Sequence, residues 1–345
     1  MKRKKKHIGF ALLTAILGML SFMPNREPDI KFVIPKGWPK PVYNFAGNTL
    51  TTNGFKLGRA LFFDPLLSRD SSTSCSSCHL QFTAFTHVDH SLSHGINGLK
   101  GTRNSSTLFN LAWNTSFMWD GGVNHLEMQP INPITNPVEM DSKLEDVILK
   151  LNHSPHYKKL FYSAFQDSVI TSKYLFKALA QFTVMFESYN SKYDKVSRKE
   201  KGFEFTAEEQ KGYAIFQKNC NTCHAEPLFT NHTLKNNGLA LDPELNDVGR
   251  MKITQNREDS LKFKVPSLRN ITVSAPYMHD GRFRNLDQVI SHYTDGIIHS
   301  STLATELKQK ISLSAEDKKN LILFLNTLTD KEFLFDMRFR NYLNN

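Results

Sequence analysis

The sequence predicts a mainly α, loop-rich protein built from two related halves. Three observations carry this. Apolar residues recur at helical spacing along most of the chain, and few stretches alternate with period two. Fourteen Pro and 17 Gly among 345 residues interrupt those helices often. One short pattern occurs twice, as SCSSCH at residues 74–79 and NCNTCH at 219–224, and together the copies use all four cysteines. The length suits two domains of ordinary size. With 40% apolar residues and 26 Phe, each half can bury a core.

Taken in order, the chain opens with MKRKKKHIGFALLTAILGMLSFMPN, a basic stretch followed by an apolar run from Ile8 to about Met23. Residues 1–25 therefore read as a secretory signal peptide or an uncleaved N-terminal anchor. The run is shorter than the roughly 20 apolar residues a spanning helix needs. No cysteine follows it closely, which argues against a bacterial lipid anchor. The leader also explains much of the net charge of +10, because Lys2, Arg3, Lys4, Lys5 and Lys6 supply half of it. What remains does not call for nucleic acid.

NGFKLGRALFFD places Leu57, Leu61 and Phe62 on one helix face ahead of the first motif. SKLEDVILKLN and TSKYLFKALAQFTVMFESY continue the helical pattern. KVSRKEK (Lys195 to Lys201) reads as a solvated linker and marks the boundary between halves. FTAEEQKGYAIFQKN then opens on Thr206 with Glu209 three residues later, a capping box, and leads into the second motif. Near the C-terminus Ser314 and Asp317 precede a helix with Leu321, Phe324, Leu325 and Leu328 on one face.

Four chemistries compete for the cysteines. Two cysteines three apart rarely form a structural disulfide. A thioredoxin-type pair needs one motif in a βαβ setting, and a zinc site from both pairs needs a far shorter spacer. Only covalent haem c also explains the histidine: the thiols form thioethers and the adjacent His is the proximal iron ligand. Cys75, Cys78 and His79 would hold haem 1, and Cys220, Cys223 and His224 haem 2. The halves echo each other beyond the motifs. Arg103-Asn104 and Arg269-Asn270 follow them, then Met118–Gly121 (MWDG) and Met278–Gly281 (MHDG), each Asp six residues before a Leu. The fold class is then mainly α, with two cytochrome c-like haem domains related by duplication, at residues 45–198 and 202–345.

These stretches resemble the bacterial dihaem cytochrome c peroxidase family, which includes the MauG-type enzymes. LGRALFFDPLLS, CSSCH, GTRNSSTLFN, FMWDGG, LEMQ, NPVEM, CNTCH, VPSLRNITVSAPYMHDGRF and LDQVISHYTDG follow the family's order from about residue 54 to 328. The resemblance implies a peroxidatic N-terminal domain and an electron-transfer C-terminal domain. It makes Glu139 of NPVEM the distal acid–base and Gln129 of LEMQ the distal amide. It makes Trp119 the electron relay between haems. Asn104, with the backbone carbonyls of Ser274 and Pro276, matches the ligands of a calcium ion. Taken alone, Glu139 would be a surface carboxylate, Trp119 a core residue and Asn104 a loop cap.

Two positions depart from the family's peroxidases. Where those carry a Met as distal ligand of haem 2, this chain has Tyr293, as MauG-type enzymes do. A phenolate favours ferric iron and lowers the potential, whereas a thioether raises it. Met278 is the alternative ligand, His279 fits a place behind the ligands, and a packed helix aromatic is the plain reading of Tyr293. The loop His that caps resting haem 1 in some members falls at Ile96, with His94 two residues away and His87 and His90 before it. Without such a cap, haem 1 would be open without prior reduction.

The leading expectation is a periplasmic peroxidase that reduces hydrogen peroxide with electrons from a small donor protein such as cytochrome c. A MauG-like oxidase acting on a protein or organic substrate is the alternative, motivated by Tyr293. A non-catalytic electron carrier is the third, and Glu139 and Gln129 argue against it. A membrane tether through the N-terminus and a homodimer are compatible with the pattern.

Overall fold

In the computed structural model, residues 30–341 are described. The leader expected over residues 1–25 lies outside them. Among the described residues helices and turns dominate, and the one sheet is an antiparallel ribbon of two two-residue strands, Leu234–Lys235 against Phe263–Lys264. Among the described residues no helix is long and apolar enough to cross a membrane.

Each half is organised around a helix that delivers its Cys-x-x-Cys-His motif. In the first half this is α1 (Thr52–Phe63), started by the Thr51 side chain, which accepts from the Gly54 N–H. It stops at Asp64, where the following Pro65 disfavours helical backbone. Two further helices, α2 (Leu144–His153) and α3 (Pro155–Phe165), lead to α4 (Ser172–Thr183), which packs along α1. In the second half α5 (Ala207–Asn219) begins at the expected capping box of Thr206 and Glu209. After α6 (Leu286–Ser291), α7 (Ala315–Asn326) begins at the expected Ser314–Asp317 box and packs along α5.

One device sets both helix pairs. A Cβ on Gly58 would overlap the Ala178 carbonyl and Phe182, and a Cβ on Gly212 would overlap the Asn320 carbonyl and Phe324. Glycine at these two points lets the backbones approach closely enough to bury the phenylalanines between them. Leu57, Leu61 and Phe62 are buried as the spacing predicts, and so are Leu321, Phe324, Leu325 and Leu328. Each such side chain contributes roughly 1.5–3 kcal/mol by leaving water.

The halves are not separated by a loose linker. From Lys31 onward the chain forms one compact unit. The charged stretch expected as a solvated linker is partly helical, over Lys192–Ser197, and Lys195 pairs with Glu332 at 2.8 Å. Past α7 the chain returns to the first half. Phe333 and Phe339 join Phe85 and Phe186, which stack at 3.8 Å, and Gln81 donates to the Asp336 carbonyl at 2.8 Å. Arg269 is fully buried on Asp194 in a two-pronged ion pair at 2.7 and 2.8 Å, with Trp38 over its guanidinium plane.

The two MWDG-type turns have matching backbones. Phe117 pairs with Val123 and Tyr277 with Phe283, each through a 2.7 Å bond. Met118 and Met278 both have positive φ, as do Gly121 and Gly281. The Arg-Asn echo needs correction. Asn270, in left-handed backbone at the start of a 3-10 turn, is matched by Asn110 rather than Asn104. Asn110 and Asn270 each lie ten residues before the Asp of the turn. Asn110 donates its N–H to Phe186, just past α4, and Asn270 donates to Leu328, just past α7.

Candidate functional site

The first motif forms a short helix, Cys75–Cys78, held at its start by reciprocal Ser74 and Ser77 bonds. The chain then loops so that the Phe85 carbonyl lies 2.6 Å from His79 Nδ1. The second motif repeats this: α5 runs into Cys220, and His224 Nδ1 lies 3.0 Å from the Pro266 carbonyl and 3.3 Å from that of Phe229. A carbonyl can only accept, so each Nδ1 carries the proton and each Nε2 keeps its lone pair. Burial lowers both histidine pKa values to about 4, which keeps the rings neutral. Neutral imidazole with a fixed tautomer is what an iron ligand requires. None of the four cysteines forms a disulfide.

Beside the second motif lies a cavity of about 260 Å³ whose wall includes Cys220, Cys223, His224, Met278 and Tyr293. Its lining is mostly apolar, with Leu286, Ile290, Leu321 and Leu325 contributing. Two cysteines outside any disulfide, a neutral histidine and a mostly apolar wall suit a covalently attached haem. Tyr293 enters from a π-helical turn, His292–Gly296, that continues α6. The wider turn is a feature often found at functional sites. Burial pushes the Tyr293 phenol up to about 12, while a hydrogen bond with Asn237 works in the opposite direction. Asn237 also donates to Met278 Sδ at 3.5 Å, so both candidate ligands share one amide.

Around the first motif, Gln129 caps the 3-10 turn Leu126–Met128, and the single helix Ile131–Thr135 separates it from Glu139. The chain reverses at Asn136, whose side chain donates to Glu139 Oε1 at 2.8 Å and whose carbonyl accepts the Glu139 N–H. Burial raises the Glu139 pKa, and the Asn136 bond opposes that rise. Its charge is felt by Cys78, so the carboxylate lies on that side of the motif. The loop with the three histidines also closes here. Ile96 is buried, with its N–H on the Glu139 carbonyl at 2.8 Å, and the His94 carbonyl lies 3.3 Å from Cys78 Sγ. The His94 ring stacks on His90 at 3.8 Å, and His90 on His87 at 4.1 Å.

Trp119 lies in the wall of the second-half cavity and is fixed at both ends. Its indole N–H donates to the Asn104 carbonyl at 2.8 Å, and its own carbonyl accepts from the Lys264 N–H at 2.7 Å. Asn104, Ser274 and Pro276 line the same cavity. The Asn104 N–H donates to the His279 carbonyl at 2.7 Å, which ties the two halves at this point. His279 stacks on Phe263 and lies 3.9 Å from Asp280.

Reading the sequence missed Asn136, Asn237 and Lys264. Asn136 stood in the NPVEM stretch, three residues before a polar partner, so a local turn signal was present. Asn237 and Lys264 carry no local signal, because their partners are distant in sequence.

Comparison with known proteins agrees with this arrangement. A family model described as di-haem cytochrome c peroxidase matches residues 52–202. The methylamine utilization protein MauG of Methylorubrum extorquens is 33% identical over 304 residues, covering 86% of this chain and 83% of that protein. The cytochrome c551 peroxidase of Nitrosomonas europaea is 32% identical, covering 79% of each. Among solved structures, a MauG-like protein associated with microbial copper homeostasis superposes with a TM-score of 0.79 at 30% identity, covering 90% of this chain and 99% of that one.

Proposed function

We infer that this chain, which belongs to the di-haem cytochrome c peroxidase family, is an exported dihaem oxidoreductase that reduces hydrogen peroxide to water with electrons from a small redox protein. The observation that carries this reading is Glu139: a half-buried carboxyl group beside the first motif, with one oxygen held by Asn136 and its pKa raised by desolvation. An electron carrier needs no such group.

Haem c, when bound, supplies the iron that binds peroxide and the path for two electrons. Cys75 and Cys78 would attach one haem with His79 as ligand, and Cys220 and Cys223 the other with His224. The protein's own part is proton movement and positioning. Glu139 takes the proton from the inner oxygen of peroxide and gives it to the outer one, so that water leaves as the O–O bond breaks. Two further protons, taken from solvent, and two electrons complete the reduction to two waters. Asn136 holds one Glu139 oxygen in place and leaves the other for the proton. Gln129 offers a neutral amide that orients peroxide without competing for its proton. Trp119, held by Asn104 and Lys264, is the relay between the halves. Asn104, Ser274 and Pro276 supply oxygen donors of the kind Ca²⁺ takes and are its proposed ligands. Export to the periplasm follows from the leader.

A second reading rests on Tyr293. Its phenol lines the cavity with His224, and a phenolate ligand would make haem 2 a low-potential store of oxidising equivalents. That suits a MauG-like oxidase of a protein or organic substrate. A steady-state assay separates the readings. With peroxide and reduced cytochrome c, the peroxidase reading expects two equivalents of donor oxidised per peroxide consumed. Turnover that stalls with cytochrome c and other small donors, but proceeds with an oxidisable protein or organic substrate, would favour the oxidase.

A further inference from the structure

The wall of the second-half cavity holds two lysines, Lys235 and Lys264. Lys235 is neutralised by Glu306, on the same wall, at 2.8 Å. Among the described residues Lys264 has no such partner, and desolvation pulls its pKa down to about 8. An ammonium facing a mostly apolar wall without a counter-ion is unfavourable. His232 adds to the imbalance: both its ring nitrogens are buried without a partner. It lies close enough for the Lys264 charge to lower its pKa further. A lysine without a counter-ion on the wall of a mostly apolar cavity, with an unpartnered histidine within reach of its charge, marks the place of an anionic group.

We propose that Lys264 is the counter-ion of a propionate carboxylate of the haem in this cavity, and that it thereby positions Trp119 against that haem. This rests on the reading that haem 2 occupies the cavity. Haem is apolar except for its carboxylates, and the cavity lining is mostly apolar. Lys264 is held by the ribbon, where it pairs with Leu234, and its N–H donates to the Trp119 carbonyl at 2.7 Å. A carboxylate on its ammonium would connect the cofactor to the backbone of the relay residue through one side chain.

The test uses the full exported protein carrying its haems, with Lys264→Met, Lys264→Gln and Lys264→Arg. Haem content is counted after denaturation, and the potential of each haem is followed by spectroelectrochemical titration. Removing a nearby cation destabilises the reduced form, which carries one more negative charge. Met and Gln should therefore lower the haem 2 potential by a tenfold change in the ferrous-to-ferric ratio, about 59 mV for one electron. Arg should stay near wild type, and haem 1 should move less. Loss of haem 2 from both neutral variants but not from the Arg variant would also support the counter-ion. Met and Gln variants with two haems and an unmoved haem 2 potential would overturn it. A wild-type protein with no haem on Cys220 and Cys223 would instead remove the underlying reading.

Discussion

Glu139→Gln is expected to keep both haems attached and to slow the reaction with peroxide by ~10² to 10⁴-fold, the usual worth of general acid–base catalysis. Gln preserves the shape and can still accept the Asn136 bond to Oε1, so folding should survive. It cannot take a proton. Gln129→Ala should hurt less, since an amide only orients the substrate. The pH profile carries a second signature. Burial raises the Glu139 pKa, so the base form is lost as pH falls through that raised value. The wild-type rate should therefore decline on the acid side at a pH above the ordinary carboxylate range, and the Gln variant should lack that limb. Stopped-flow mixing with peroxide across a pH series checks both. An unchanged rate in the variant would refute the proton-transfer role.

The second large effect concerns Tyr293. If its phenolate binds haem 2, Tyr293→Met should raise that haem's potential by more than a tenfold change in the ferrous-to-ferric ratio, over about 59 mV. The phenol's own pKa is pushed up to about 12 by burial, so only a strong positive charge beside it would deprotonate it near neutral pH. Asn237 touches both Tyr293 and Met278, which makes the methionine the nearest substitute. Fully ferric wild-type protein should react promptly with one equivalent of peroxide, and Tyr293→Phe should lose that response. If the ferric protein stays inert and the half-reduced protein reacts quickly, the tyrosinate model fails and Met278 becomes the leading ligand.

Local signals in the sequence were dependable here because their causes are local. The capping boxes at Thr206 and Ser314 need only residues three apart, and both start helices as expected. Helical spacing of Leu57, Leu61 and Phe62 needs only a core to face, and α4 provides it. Long-range pairings were not legible. The carbonyls on His79 and His224 belong to loops whose course depends on the finished core. Asn110 escaped notice as the partner of Asn270 because the likeness lies in left-handed backbone and distant acceptors, not in a shared Arg-Asn pair. The return of Phe333 and Phe339 to the first half depends on the phenylalanine cluster around Phe85 and Phe186. Lys264 shows its isolation only once its surroundings are known.

Covalent haem on both motifs is the claim on which the rest depends, and acid–acetone extraction tests it most directly. The purified exported protein should keep two haems per chain through denaturation and extraction. Cys220→Ala should weaken attachment of the second haem alone. Release of either haem from the wild-type chain would contradict the account.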